Sequence, residues 1–234
     1  MSSGTLFVIG TPIGNLGDIT LRGIESLNKL EILVCEDSRV TSRLINSLTQ
    51  SGYLNSKPRY FAYNEFNEDR VWEQVVGWVA EGKNVGLVSD AGMPMISDPG
   101  YKLIRGVIEA GLKLEVIPGP TALTTALPYA GIGGEMVLYL GFLPKTRGKA
   151  VQILEASKEF LTRVKSGRLV LYVSPHRVQK DLLLIAEVMG DVRAVLLREL
   201  TKKFEERIEG TVSELLTQYS IKPFKGELVL VVSQ

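Results

Sequence analysis

Residues 85–100 read VGLVSDAGMPMISDPG. A short run with the composition of a buried strand, Val85 to Val88, ends in a twelve-residue turn that carries two aspartates, Asp90 and Asp98, and two prolines, Pro94 and Pro99. That is more than a strand-to-helix connection requires. Beyond it, Leu103, Val107 and Ile108 are spaced for one face of a helix. The pattern of apolar run, punctuated loop and helical spacing recurs on both sides. Thr5 to Ile9 precedes GTPIGN, Glu31 to Cys35 precedes the acidic pair Glu36-Asp37, and Leu114 to Ile117 precedes PGP. Between the runs, Leu21, Ile24 and Leu27 fit one helical face, as do Val71, Val75, Trp78 and Val79. Asp69 stands near a first helical turn and Pro120-Thr121 opens another helix. Strand and helix thus alternate, which predicts a mostly parallel sheet covered on both faces.

A second series follows the glycine-rich segment Gly131 to Gly134. Val137 to Leu140 reads as a strand, GFLPKTRGK as a loop, Val151 to Val164 as a helix with Ile153, Leu154 and Leu161 inward, and Leu169 to Val173 as a strand ending at SPHR. Leu182 to Met189 reads as a helix, Ala194 to Leu197 as a strand ending at RELTKK, Val212 to Tyr219 as a helix and Leu228 to Val232 as a closing strand. The expected fold class is therefore α/β, with two α/β domains in tandem, residues 1–132 and 133–234. A short linker near Gly131 to Lys145 should set them face to face across a cleft.

Composition narrows the function. The chain has 234 residues, a formal net charge of +1, 45% hydrophobic and 23% charged residues, as in an ordinary globular protein. The charge is uneven: residues 1–140 hold 11 basic and 15 acidic side chains, residues 141–234 hold 16 and 11. One cysteine, Cys35, in the apolar run ILVC reads as a buried, inert thiol, and one histidine, His176, leaves little for metal sites built on His and Cys. With no signal-peptide pattern and no apolar run of about 18 residues, a soluble cytoplasmic protein without membrane or metal is expected.

In open α/β sheets ligands bind beyond the carboxyl ends of the strands, and every unusual motif here lies at such an end. GTPIGN lacks the G-x-G-x-x-G pattern, Pro12 removes a backbone donor where a dinucleotide fingerprint would present one, and no G-x-x-x-x-G-K-[ST] loop occurs. Glu36 imitates the ribose-binding acid of a dinucleotide fold, but the glycine fingerprint is missing. What remains is a ligand read by backbone edges and small side chains.

The runs TPIGNLGDITLR, EDSRVTSRL, SDAGMPMISDPGY, IPGPTA, GFLP, SPHR and ELTKKFEE, in this order, resemble the tetrapyrrole-methylase superfamily and, within it, a bacterial group that methylates small-subunit ribosomal RNA. The resemblance covers essentially the whole chain. It implies S-adenosylmethionine as cofactor, held in the cleft between the domains, and 2′-O-methylation of a cytidine ribose in the decoding region of 16S rRNA. It also implies free RNA or the assembled small subunit as partner, and a homodimer. By carry-over the cofactor residues are Pro12, Asp90, Ala91, Gly92, Ser97, Asp98, Thr121, Ala122, Phe142, Ser174, Pro175, Leu200 and Gly226. Small residues at 91, 92 and 122 suit close backbone approach. The helix opening at Thr121 offers N–H groups to a carboxylate. Phe142 either stacks on adenine or is a plain core aromatic.

The sequence departs from the family pattern at Met93, where Thr is expected, at Val173, where Glu is expected, and at Asn64 to Glu68, where a His-Glu-His-Asn-Glu run is expected. These departures bear on substrate detail more than on the cofactor. A ribose hydroxyl needs a positioned base or a polarising cation. The candidates at strand ends are Glu36, Asp37, Asp98, Glu199 and Lys202. Asp98 could instead cap the helix near Pro99, Asp37 could simply pair with Arg39, and Lys202 needs a lowered pKa to act as a base. Lys145, Arg147, Lys149, Arg177, Arg198, Lys202 and Lys203 form a candidate RNA-binding rim, unless Glu205, Glu206 and other acids neutralise them locally. Two competing readings remain: a small-molecule methylase of tetrapyrrole type, and a non-catalytic ribosome-binding factor on the same scaffold.

Overall fold

A computed structural model describes residues 3–233. The chain divides into two compact units, Met1–Thr121 and Ala122–Gln234. The break falls before the helix that starts at Ala122, not at residue 132 in the glycine-rich segment, because that helix packs on strands of the second unit.

The first unit contains β1 (Thr5–Ile9), α1 (Leu21–Leu27), β2 (Ile32–Cys35), α2 (Ser38–Gln50), β3 (Arg59–Ala62), α3 (Glu68–Ala80), β4 (Val85–Val88), α4 (Tyr101–Glu109) and β5 (Lys113–Ile117). Its sheet runs β3-β2-β4-β1-β5 with every neighbouring pair parallel. Every residue of β1, β2 and β4 is buried. Successive strand side chains point to opposite faces, so each central strand feeds two cores. Phe7, Ile9, Leu33 and Cys35 join Ile24, Leu27, Ile45 and Leu48 on one face. Leu6, Val8, Ile32 and Val34 join Val75, Val79, Leu103 and Val107 on the other. This two-sided burial is why these strands are apolar runs rather than alternating ones.

The helices depart from expectation where a residue sits at the rim of the apolar stripe. Leu21, in the first turn of a seven-residue helix, is 78% exposed, and Ile108, one step round from Val107, is also exposed. The edge strand β3, RYFA, is not legible as a strand in the sequence because it is only partly covered.

The second unit contains α5 (Ala122–Ala130), β6 (Met136–Phe142), α6 (Arg147–Arg163), β7 (Gly167–Val173), α7 (Val178–Met189), β8 (Arg193–Arg198), β9 (Glu206–Thr211), α8 (Val212–Ile221) and β10 (Leu228–Ser233). The order is β6-β7-β10-β8-β9. Only β6 and β7 pair in parallel; β10 runs antiparallel to both β7 and β8, and β8 runs antiparallel to β9. A parallel sheet is therefore correct for the first unit alone. The strand that sequence patterning does not reveal is β9: its sequence ERIEGT is half exposed and charged, as edge strands are, and it reverses the direction of the chain. Leu169, Leu171 and Val173 of β7 and Leu228, Leu230 and Val232 of β10 pack under α6, α7 and α8, while α5 packs against β10 and β8.

Candidate active site

In the first unit the loops after β1, β4 and β5 are drawn into one surface. Thr11 and Gly92 form an antiparallel bridge, with Thr11 N–H donating to Gly92 O at 2.8 Å and Gly92 N–H to Thr11 O at 3.1 Å. The Thr11 hydroxyl also donates to Ser89 O at 3.2 Å. A Cβ on Gly10 would lie 2.7 Å from the Gly119 Cα, so two glycines let the first and last of these loops touch. Gly92 lies close both to Ile13 and to Pro120-Thr121. Pro12, Asp90, Ala91, Gly92 and Thr121 thus come together from three separate strand ends.

The long turn after β4 is strained. Met95 and Ser97 adopt φ of 70° and 67°, a left-handed conformation costly for residues with a Cβ. Asp98 does not cap α4: the N-cap is Gly100, with no side-chain cap. Its carboxyl stays with the site instead. Burial pushes Asp98 up to about 6, a Ser89 hydrogen bond restrains it, and the charge of Asp90 adds to the rise. Glu36, just past β2, is pushed up from 4.5 to about 7, first by burial and then by the charges of Asp90, Asp98, Glu65 and Asp37. Asp90 is raised by burial too, although its Oδ1 accepts the Asp37 N–H at 3.0 Å.

Asp37 behaves in the opposite way. It caps α2 by accepting the Arg39 N–H at 2.8 Å, and its Oδ2 lies 2.6 Å from Arg39 Nη2. Those hydrogen bonds and the guanidinium charge hold it at about 2. Among the acids of this unit singled out from the sequence, Glu36 and Asp98 are therefore able to take up a proton near neutral pH, and Asp37 is bound to Arg39. Cys35, fully buried, has its thiol pushed up chiefly by burial.

In the second unit Phe142 is not a core aromatic. It ends β6 54% exposed and meets Tyr172 edge to face, centroids 5.7 Å apart. The Tyr172 hydroxyl accepts the Leu123 N–H at 3.2 Å in the first turn of α5. Tyr172 thereby connects Phe142 to Ala122-Leu123. Nothing in the sequence singles it out, because a tyrosine inside the strand LVLYV looks like packing. Ser174 and Pro175 follow β7, where Ser174 O accepts the Arg177 N–H at 2.9 Å.

Glu199 and Lys202 engage each other. Lys202 Nζ lies 3.1 Å from Glu199 Oε1 and 3.1 Å from Glu227 Oε2. Glu199 Oε1 also accepts the Glu227 N–H at 2.8 Å, and Gly226 leaves the room for it: a Cβ there would meet Oε1 at 2.5 Å. Burial would lower Lys202, but Glu227 and Glu199 outweigh it and hold the ammonium above its usual value. That is the reverse of what a lysine base needs. Glu199 is likewise held down, its own burial offset by Glu227 N–H and Lys202. Glu199 and Thr201 carry φ of 52° and 65°, Leu200 between them is buried, and Thr201 Oγ1 is buried without a hydrogen-bond partner among the described residues.

The basic rim is thinner than the sequence suggests. Arg177 donates to Leu143 O at 2.9 Å, Pro144 O at 3.2 Å and Asp181 Oδ1 at 2.9 Å, so it ties a loop to α7. Arg198 is spent on Lys225 O, Phe204 O and Glu206. Arg147 pairs with Glu187 in the open. Lys145, Lys149 and Lys203 are exposed and form no ion pair among the described residues.

The departures from the family pattern also have a structural account. Met93 packs beside the core and faces Gly10, whose Cβ would meet its sulfur at 2.6 Å. Val173 is buried in the core of the second unit, where a carboxylate would be costly. Asn64 and Asn67 close a turn on themselves: Asn67 Oδ1 accepts the Asn64 N–H at 2.8 Å and Asn64 Oδ1 the Phe66 N–H at 3.1 Å.

Comparison with known proteins shows the family. The model of the family Tetrapyrrole (Corrin/Porphyrin) Methylases matches residues 5–216. Proteins named ribosomal RNA small subunit methyltransferase I are similar over nearly the whole chain. The one from Thermotoga maritima is 37% identical over 98% of this chain and 98% of its own length. The one from Neisseria meningitidis serogroup B is 40% identical over 98% of this chain and 76% of its own. Among solved structures, the methyltransferase CobJ superposes with a TM-score of 0.73 at 18% identity, covering 99% of this chain and 95% of its own. Diphthine synthase gives 0.72 at 16%, covering 99% and 90%. These structural likenesses establish the fold. The chain belongs to the tetrapyrrole (corrin/porphyrin) methylase family and, within it, to the ribosomal RNA small subunit methyltransferase I group.

Proposed function

We propose that this protein is an S-adenosylmethionine-dependent methyltransferase of small-subunit ribosomal RNA, and that it methylates the 2′-hydroxyl of a cytidine in the decoding region. The similarity to relatives named ribosomal RNA small subunit methyltransferase I, at 37% and 40% identity over 98% of the chain, supports the ribosomal RNA methyltransferase, and the resemblance of the motif loops supplies the cytidine 2′-hydroxyl and the decoding region.

The residues present fit the cofactor. In the first unit, a glycine-to-glycine cradle and a strained turn lie beside Glu36, Asp90 and Asp98, which form no ion pair among the described residues, and this suits a ligand with a positive sulfonium. In the second, an exposed Phe142 offers a flat ring and Thr201 a buried hydroxyl without a hydrogen-bond partner among the described residues. When bound, S-adenosylmethionine supplies an electrophilic methyl group on sulfur. The chain's own part is to place the acceptor and remove its proton. Holding the reactants at near-attack distance contributes several kcal/mol, up to roughly 7–11.

Glu36 takes the hydroxyl proton in this reading. Its pKa of about 7 matches the working pH, the condition for an efficient general base. Burial first, and then the like charges of Asp90 and Asp98, keep that pKa high. Asp37, Glu199 and Lys202 position loops through their ion pairs. In the cytoplasm, the partner is the small subunit or its RNA, approached by Lys145, Lys149 and Lys203, and the working form is a homodimer.

Methyl transfer to isolated small subunits, with the product mapped by resistance of one ribose linkage to alkaline cleavage, tests the reading. Label on a base would overturn the 2′-hydroxyl. Cofactor binding without labelled RNA would favour a small-molecule methylase, and no cofactor binding by calorimetry would leave only a ribosome-binding factor.

A further inference from the structure

Arg198, at the end of β8, directs its guanidinium to three places at once. Nε donates to Lys225 O at 2.6 Å, and Nη1 donates to Phe204 O at 3.4 Å and Glu206 Oε2 at 2.9 Å. It therefore fixes the backbone of the turn 199–205 against the segment before β10. The same turn is braced by the Glu205 N–H on Lys202 O at 3.1 Å and by the Thr201 N–H on the Glu205 carboxylate. From this rigid turn the Phe204 ring projects 65% exposed, with Lys203 Nζ 5.7 Å from its centroid. Next to it runs a groove of about 440 Å³ lined by Arg198, Ile208, Ile221, Lys222, Phe224 and Lys225, among others. Ile221 on its wall is 81% exposed. Lys203, Lys222 and Lys225 form no ion pair among the described residues.

A single exposed phenylalanine has no meaning by itself. Here the ring stands on a turn braced from both ends, beside a groove walled by unpaired ammonium groups. A flat aromatic surface alternating with cations is the arrangement that binds single-stranded nucleic acid: bases stack on the ring while lysines follow the phosphates. We infer that Phe204 is a stacking platform for an unpaired base of the RNA, and that Lys203, Lys222 and Lys225 hold the flanking phosphates. This deepens the ribosomal RNA reading and rests on it for the identity of the strand.

The test is binding of a short single-stranded RNA oligonucleotide at low salt, which does not depend on methyl transfer. Phe204→Ala and Phe204→Leu should each bind roughly tenfold more weakly than the unaltered protein. Phe204→Trp should keep the affinity, and its added indole emission should be quenched by the stacked base. Calorimetry with S-adenosylmethionine should be unchanged in all three. Equal RNA affinity of the alanine and leucine variants to that of the unaltered protein, full affinity of the tryptophan variant without quenching, no binding of the single strand, or equal binding of a duplex would each overturn the platform. Methyl transfer to small subunits by the unaltered protein separately decides the function it serves.

Discussion

Glu36 in the first unit and Glu199 in the second both stand at the end of a strand, and their environments drive them in opposite directions. Glu36 is half buried among Asp90, Asp98 and Glu65 and is pushed up to about 7. Glu199 accepts Lys202 Nζ at 3.1 Å and the Glu227 N–H at 2.8 Å and is held below its usual value. The difference teaches that a carboxyl at a strand end is available for proton transfer only when no cation claims it. It repeats at larger scale: residues 1–121 carry 11 basic and 14 acidic side chains, residues 122–234 carry 16 and 12. The first unit thus has an excess of acids, Glu36 and Asp98 forming no ion pair among the described residues, and the second an excess of cations, Lys145, Lys149 and Lys203 forming none.

The sharpest way to break the comparison is Glu36→Gln. If Glu36 is the base, turnover on small subunits falls by roughly 10² to 10⁴-fold while S-adenosylmethionine binding survives. A loss of less than about threefold in kcat would give Glu36 the same purely structural part that Glu199 plays.

The next effect is on pH. Turnover should rise with pH and level off near the folded value of about 7. Removing a like charge with Asp98→Asn should move that limb to lower pH, the shift belonging to the coupled carboxylates together. Stability carries its own sign. The folded protein holds a proton on Glu36 that the unfolded chain releases near 4.5, so its contribution is complete below that pH and is lost as pH rises to about 7. Thermal unfolding of the unaltered protein should therefore lose ground to Glu36→Gln between those limits. Parallel pH curves for the two would show that burial does not raise this group.

The smallest effect concerns the unpaired lysines. Replacing Lys145, Arg147 and Lys149 with Ala should weaken RNA binding and flatten its salt dependence by roughly 0.7 for each phosphate no longer neutralised. Arg147 should contribute least, because an exposed pair with Glu187 already occupies it. An unchanged slope would show that the charge excess of the second unit is a solvated face.

Legibility in the sequence follows burial. β1, β2, β4 and β10 can be read because both faces are covered and the strands are apolar throughout most of their length. The edge strands β3 and β9 cannot, since RYFA is short and only partly covered and ERIEGT carries the charge that discourages further pairing, whereas the edge strands β5 and β6 keep apolar runs that can be read. The motif loops are recognisable as a set, but the partners within them are not. Arg177 and Arg198 look like phosphate ligands and instead hold backbone carbonyls. Asp98 looks equally like a cap, and Gly100 takes that place.

The sequence by itself determined the α/β class and the positions of the strand-end loops, because apolar periodicity and glycine or proline punctuation are local properties of the chain, and the motif runs in those loops carried the resemblance to the family. Only the tertiary structure decided which acids stay unpaired, which cations remain open and which way β10 runs. Those outcomes depend on neighbours far apart in sequence: Asp90 beside Glu36, Glu227 beside Lys202, and β9 reversing the path between β8 and β10. Coulomb interactions and strand pairing act through space, and the order of residues along the chain does not record them.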